Sequence, residues 1–216
     1  MPTSHAANFS SSYPAYDLPY SSITPTHDAS RSVQATTSPH SFLSSLLLLN
    51  ARSFNPSANS ASRWKLHDLI GHVEEKRECG QFFPFIAITE TWLKSYFSDA
   101  QLQIPGYSIS RCDRSKRHGG GVLLYSLSSL SASASESFDD GTCQGLCNIY
   151  PSAKLLVAVV YRPPDASHSS FSQLLGHIKY TIDNLADNDY DLFITGDFNF
   201  PQIDWESHRI LSGGTS

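Results

Sequence analysis

Four short apolar runs in this 216-residue sequence each end on a polar or ionisable side chain. Asn50 follows Leu46 to Leu49, and Glu90 follows Phe85 to Ile88 and Thr89. Tyr161 follows Leu155 to Val160, and Asp197 with Asn199 follows Leu192 to Thr195 and Gly196. A single carboxylate in such a place is ordinarily a turn former or a helix cap. The set is chemically complementary, which one residue cannot be. Two carboxylates and an amide are hard oxygen ligands suited to Mg²⁺ or Mn²⁺, and a phenol plus an amide donate hydrogen bonds to phosphoryl oxygens.

These residues need a scaffold that brings the ends of distant strands together. Trp64, Leu66, Leu69, Ile70 and Val73 fall three and four apart, which predicts an amphipathic helix ending near Gly80. Phe171, Leu174, Leu175, Ile178, Ile182 and Leu185 predict a second helix by the same spacing. Leu46 to Leu49 reads as a strand buried on both faces, Phe85 to Ile88 as a strand after Pro84, and Leu155 to Val160 as a β-branched strand stopped by Arg162-Pro163-Pro164. Ile104-Pro105-Gly106-Tyr107 turns into another strand, and Gly119-Gly120-Gly121 launches Val122 to Tyr125. Ser126 to Gly145 is rich in Ser, Asp and Gly and is expected to be a long excursion with little core of its own. Strands alternating with helices predict an α/β domain with mixed sheets. Strand ends on such a scaffold collect binding and catalytic groups, because the sheet fixes the backbone while the loop frees the side chain.

Composition bounds the rest. With 40% hydrophobic and 12% aromatic residues the chain can bury a core, so wholesale disorder is excluded. Residues 1–42 mix Ser, Thr, Pro, Ala, Tyr and His without periodicity and are expected to be a disordered tail, leaving 43–216 as the folded domain. Fifteen Lys and Arg against twenty Asp and Glu give a net charge of −5, so polyanion binding must come from a local patch or a metal ion. The one dense basic run is Arg111, Arg114, Lys116, Arg117 and His118, which can grip DNA phosphates or simply form a solvated loop. Cys79, Cys112, Cys143 and Cys147 form no Cys-x-x-Cys pair and read as free thiols. The longest apolar run is too short for a membrane span, so an intracellular protein without membrane association is expected. Asp187, Asp189 and Asp191 lack the glycine and the closing glutamate of a calcium loop, and the glycine triplet has no P-loop Lys-Ser/Thr. No Gly-x-Ser-x-Gly elbow supports a serine hydrolase, and Trp64, Trp92 and Trp205 read as core or interface anchors.

Six segments in order carry a family resemblance: Asn50-Ala51-Arg52-Ser53, Ile88-Thr89-Glu90-Thr91-Trp92-Leu93, Pro105-Gly106-Tyr107, Gly119-Gly120-Gly121-Val122, Val160-Tyr161-Arg162-Pro163-Pro164 and Gly196-Asp197-Phe198-Asn199. With Ile203-Asp204-Trp205, they make residues 45–210 resemble the endonuclease/exonuclease/phosphatase superfamily, nearest to the apurinic-type endonuclease domain of non-LTR retrotransposons. The resemblance implies a four-layered sandwich of two mixed β-sheets flanked by helices. It places the divalent metal on Glu90 with Asn50 close by, the scissile phosphate against Tyr161, the attacking water or leaving oxygen at Asp197, and transition-state support at Asn199. It also implies DNA as substrate, a reverse transcriptase in the full-length element, and a nuclear place of work. Two motifs of the family are expected downstream and do not occur, a late aspartate and a near-terminal Ser-Asp-His; His208 lies where a surface loop is expected. The expectation is a C-terminally incomplete domain that is inactive or nearly so, or else a catalytically dead remnant that binds DNA or protein.

Overall fold

The computed structural model describes residues 45–54, 62–185, 189–201, 203–204, 206–207 and 209–210. The expected tail at 1–42, Asp187, Trp205 and His208 lie outside the described residues. Leu46–Asn50 forms β1 and Phe85–Thr89 forms β2, parallel in the register Leu46↔Phe85 to Asn50↔Thr89, with helix α1 (Ser62–Glu78) as the crossover. A parallel pair needs such a connection, because its strands start at the same end. Tyr107–Cys112 (β3) and Val122–Leu127 (β4) then pair antiparallel, and β4 also lies antiparallel to β2. The first sheet thus runs β1-β2-β4-β3.

The second sheet repeats the plan in reverse. Ala134–Asp139 (β5), Gln144–Tyr150 (β6) and Leu155–Tyr161 (β7) pair antiparallel in succession. Helix α2 (His168–Leu185) then crosses over to β8 (Asp191–Asp197), which is parallel to β7 and gives the order β5-β6-β7-β8. Two-residue strands β9 (Ile203–Asp204) and β10 (Arg209–Ile210) pair with each other.

Period-two alternation sorts the side chains into layers. Ile86, Ile88, Leu123 and Tyr125 face outward to pack with Leu69 and Val73 of α1, and the partly buried Leu66 and Ile70 join them as their spacing predicts. Phe85, Ala87, Val122 and Leu124 face inward and meet Leu146, Tyr150, Val157, Val159 and Tyr161 of the second sheet. Leu156, Ala158 and Val160 face the other way, against Leu174 and Ile178 of α2. Helix, sheet, sheet and helix are therefore stacked, which is the expected α/β sandwich of two mixed sheets. Helix α1 stops where Gly80 takes φ +73 and the Gln81 N–H reaches back to the Lys76 carbonyl at 2.8 Å, a Schellman closure.

Two expectations change. The stretch from Ser126 to Gly145 is not a loose excursion, since it holds the whole of β5 and the start of β6. Its strand pattern is hidden because Ser135, Glu136 and Ser137 put polar residues on both faces of β5 in succession. The fully buried β6 escapes notice because Gln144 and Asn148 interrupt its apolar run. Strand β1 is not buried on both faces: it is an edge strand paired only with β2, and Leu48 is exposed. Strand β8, the opposite sheet's edge, likewise exposes Leu192, Phe193 and Ile194. Among the described residues no helix is long and apolar enough to cross a membrane.

Cys112, Cys143 and Cys147 are buried free thiols and Cys79 is exposed. Burial, with the charges of Asp139 and Asp113 added, pushes the Cys112 thiol up to about 12, and burial followed by the charge of Glu136 takes Cys147 to about 11. Thiolate is the reactive form. Native protein at mildly alkaline pH should therefore release one equivalent of chromophore from a disulfide thiol reagent, and the Cys79→Ser variant none; rapid reaction of the other thiols would show that the layers open readily.

Candidate active site

Because β1 is parallel to β2 and β7 to β8, all four chemistry-bearing strand ends point the same way within their sheets. Register then sets Asn50 beside Thr89, immediately before Glu90, and Tyr161 beside Asp197. The sheets meet at this end through Asn50, whose Nδ2 donates to Asp197 Oδ2 at 2.9 Å and lies 3.5 Å from Glu90 Oε1. Tyr161 completes the cluster. Burial first, then the Glu90 charge, push its phenol up to about 12, with Asp197 and a hydrogen bond to Glu90 acting the same way and Arg114 opposing. The hydroxyl therefore stays protonated at neutral pH and remains a donor.

The backbone around Glu90 is held in conformations that non-glycine residues rarely adopt. Glu90 has φ 51°, Trp92 φ 57°, Arg52 φ 42°, Ser53 φ 90° and Asn199 φ 47°. Each costs about 1–3 kcal/mol, so the surroundings must over-determine the shape. They do so through main-chain bonds: Ser53 N–H to the Glu90 carbonyl at 2.8 Å, Phe54 N–H to that of Thr91 at 2.6 Å, and Trp92 N–H to that of Gly120 at 2.9 Å. The glycine triplet is there for that close approach, since a Cβ on Gly121 would lie 2.5 Å from Thr91 Oγ1. Lys65 Nζ adds bonds to the Ala51 and Ser53 carbonyls at 2.6 and 3.1 Å.

Asp197 and Asn199 are braced from β7. Arg162 N–H donates to the Asp197 carbonyl at 2.8 Å, and Asn199 Nδ2 donates to the Arg162 carbonyl at 2.7 Å. The Arg162 guanidinium returns a bond from Nη1 to the Asn199 carbonyl at 3.0 Å. Asn199 N–H lies 3.3 Å from Asp197 Oδ1, which orients that carboxylate.

Two carboxylates joined by one amide concentrate negative charge, and no ion pair among the described residues reaches Glu90 or Asp197. Among the described residues no three His, Cys, Asp or Glu side chains gather to enclose a metal. The oxygens of Glu90, Asp197 and Asn50 are hard donors and fit a divalent cation held by one or two carboxylates, with water and phosphate oxygens completing its shell, the manner usual for Mg²⁺.

The basic run is largely engaged with the protein. Arg111 pairs with Asp99 at 2.9 Å and Asp113 at 3.1 Å. Arg114 is buried and donates from Nη2 to the Thr142 carbonyl. Lys116 Nζ lies 3.3 Å from the Asp140 carbonyl, and Arg117 pairs with Asp165 at 3.0 Å, both on the exposed loop. His118 packs edge-on to Trp92 with ring centroids 4.7 Å apart.

Three residues without an expected role matter to the site. Trp92 Nε1 donates to Glu90 Oε2 at 3.3 Å, so the Glu90 carboxylate faces an indole donor as well as the Asn50 amide and the Tyr161 hydroxyl. Gln144 Oε1 accepts the Gly121 N–H at 3.2 Å while its Nε2 donates to Asp139 Oδ1 at 2.8 Å. Arg162 clamps the loop after β8. Trp92 and Arg162 sit inside the quoted segments, so a signal existed; Gln144 offered only a polar residue before an apolar stretch.

Solved structures share this architecture. An AP endonuclease from Archaeoglobus fulgidus matches with TM-score 0.50 and 16% identity over 74% of this chain and 58% of its own. The 3′-5′ exonuclease NExo from Neisseria meningitidis matches with TM-score 0.53 and 15% identity over 74% and 59%. TDP2 from D. rerio, complexed with a single-strand DNA product, matches with TM-score 0.50 and 12% identity over 71% and 60%. The chain thus spans about three fifths of each, and identities this low speak for the fold alone. No curated protein matches it in sequence. The profile of one family aligns with residues 47–216, taking in every strand end that bears Asn50, Glu90, Tyr161, Asp197 and Asn199, and by that match together with the shared sandwich the chain belongs to the endonuclease/exonuclease/phosphatase family.

Proposed function

We propose that this site is the DNA-nicking centre of a non-LTR retrotransposon endonuclease, hydrolysing a phosphodiester with the help of Mg²⁺ or Mn²⁺. The observation that carries the proposal is Asn50 joining Glu90 of the first sheet to Asp197 of the second, with the Tyr161 phenol against the same carboxylates. Enzymes of the family typically depend on a divalent metal. Glu90 would hold that cation, and Asn50, whose Nδ2 faces the two carboxylates in this structure, would join it through Oδ1 once its amide turns over; the cation's contribution is to neutralise charge on the phosphate. Tyr161 donates a hydrogen bond from its hydroxyl to a phosphoryl oxygen. Asp197 accepts the proton of the attacking water or holds the leaving oxygen, and Asn199 keeps its loop in place and steadies the transition state. Lys116 and Arg117, on the exposed loop, meet flanking phosphates, while Arg111 and Arg114 act from within the fold. The retroelement assignment rests on the sequence resemblance around Thr-Glu-Thr-Trp-Leu and Tyr-Arg-Pro-Pro. With it come a reverse transcriptase as partner and work in the nucleus.

A second reading, DNA binding without turnover, is favoured by the packing of His118 edge-on against Trp92, whose Nε1 in turn donates to Glu90 Oε2. One assay separates the two. Purified protein is incubated with supercoiled plasmid in Mg²⁺ and, in parallel, titrated with labelled duplex in Ca²⁺. Nicking that disappears in Glu90→Gln establishes hydrolysis by this site. Binding weakened by Tyr161→Phe without nicking establishes the second reading, and neither nicking nor binding overturns both.

A further inference from the structure

We propose that Arg114 is a positioning residue for Tyr161, holding the phenol ring from beneath so that its hydroxyl presents to a phosphate. The inference rests on the phosphate-binding reading above. Arg114 is only 4% exposed, and its Cζ lies 5.5 Å from the centroid of the Tyr161 ring. A buried guanidinium is costly unless it is paired. Among the described residues no carboxylate pairs with Arg114: Nη2 donates to the Thr142 carbonyl, and Nε is a buried N–H without a partner. A cation placed at such a cost against one aromatic face breaks a local rule, and breaches of this kind gather where a site needs them.

The neighbouring residues are shaped around it. A Cβ on Gly120 would fall 2.8 Å from Arg114 Nε and 2.9 Å from Cζ, so the middle glycine of the triplet leaves room for the guanidinium. The same Cβ would fall 2.6 Å from Gln144 Oε1, and Gln144 is the cross-strand partner of Tyr161 in the β6–β7 register. Lys94 Nζ holds the Arg114 carbonyl at 2.7 Å, fixing the backbone from which the side chain dives inward. Tyr161 thus has a flat cation over its ring and Gln144 as its partner on the neighbouring strand. Lysine carries the charge but not the plane, and would leave the ring face without a matching surface.

A double-mutant cycle in DNA binding reads this role directly, with a short fluorescein-labelled duplex as probe and Ca²⁺ in the buffer. Tyr161→Phe is expected to weaken binding about tenfold, the loss of one hydrogen bond to a charged group. Arg114→Met and Arg114→Lys are each expected to weaken it comparably, and either combined with Tyr161→Phe should bind no worse than Tyr161→Phe alone. If Arg114→Met fails to fold, Arg114→Lys completes the cycle. Wild-type affinity in Arg114→Lys, or losses that multiply in the double variant, would overturn the proposal by reducing Arg114 to a general structural part. Wild-type affinity in Tyr161→Phe would overturn the phosphate-binding reading itself, and the positioning role with it.

Discussion

Gly196→Ala is expected to destabilise the protein by about 4 kcal/mol, the range reserved for strain at a special backbone position combined with a clash. Gly196 holds φ +137°, and a Cβ there would stand 1.9 Å from the Val160 carbonyl oxygen and 2.7 Å from its amide nitrogen. Those atoms are backbone of the neighbouring strand, in the Val160↔Gly196 register, and cannot swing aside as a side chain can. Relief requires β8 to part from β7 at the step before Tyr161 and Asp197, so stability and site geometry fail together. Gly176 of α2 supplies the contrast, since nothing lies within 4 Å of a Cβ there. Gly176→Ala should leave stability unchanged or raise it by up to about 1 kcal/mol through helix propensity. Urea unfolding of the two variants checks both values. A Gly196→Ala protein as stable as the wild type would mean that β8 is not seated against β7 as described.

Arg162→Ala is expected to cost about 3 kcal/mol and to loosen the loop beyond Asp197. The guanidinium donates to the Asn199 carbonyl and the Ala166 carbonyl, each at 3.0 Å, and lies 4.2 Å from the Phe200 ring centroid. Hydrogen bonds from a charged donor contribute about 1.5–3 kcal/mol, and a cation on an aromatic face about 0.5–2, with neighbouring terms overlapping rather than adding. Removing the side chain leaves the Asn199 residue, already at φ 47°, without one of the bonds that hold it there. Arg162→Lys should recover less than half of the loss, because one ammonium cannot bridge two carbonyls and cover a ring at once. Chemical denaturation gives the stability change, and amide hydrogen exchange at Phe198 to Phe200 gives the loosening. Exchange in Arg162→Ala that stays as slow as in the wild type would show that the main-chain bonds suffice.

Much of this was legible in the residues themselves. The three- and four-residue spacing of Leu66, Leu69, Ile70 and Val73 specified a helix with one buried face, and Leu155 to Val160 specified a strand. The polar side chain after each of four apolar runs marked residues that the fold gathers at one end of the two sheets, because packing constrains a strand only as far as its last buried residue and leaves the next position free. The glycine triplet marked the start of β4, and the Trp92 and Gly120 main chains meet beside it. Where patterning failed, polar residues were buried with partners that lie far away in sequence. Gln144 is bonded to Gly121, and Asn148 to Ser110 at 2.9 Å, so β6 reads as broken although it is wholly buried.

The local pattern could not distinguish a half-covered edge from a core strand either. Leu46 to Leu49 and Leu192 to Ile194 are as apolar as Phe85 to Ile88, yet β1 and β8 stand at the sheet edges with Leu48 and Phe193 exposed. Strand order is a long-range matter and composition does not encode it. Charge shows the same division most sharply. Arg111, Arg114, Lys116 and Arg117 were one basic run in sequence, and the fold sent them to an ion pair, the underside of Tyr161, a main-chain carbonyl and a surface aspartate. Residue order alone specifies which side chains end the strands and what chemistry they suit. That Asn50 spans two sheets to join Glu90 and Asp197, and that a cation lies under the phenol, is settled by the folded molecule, because those contacts depend on how one layer is stacked upon the other.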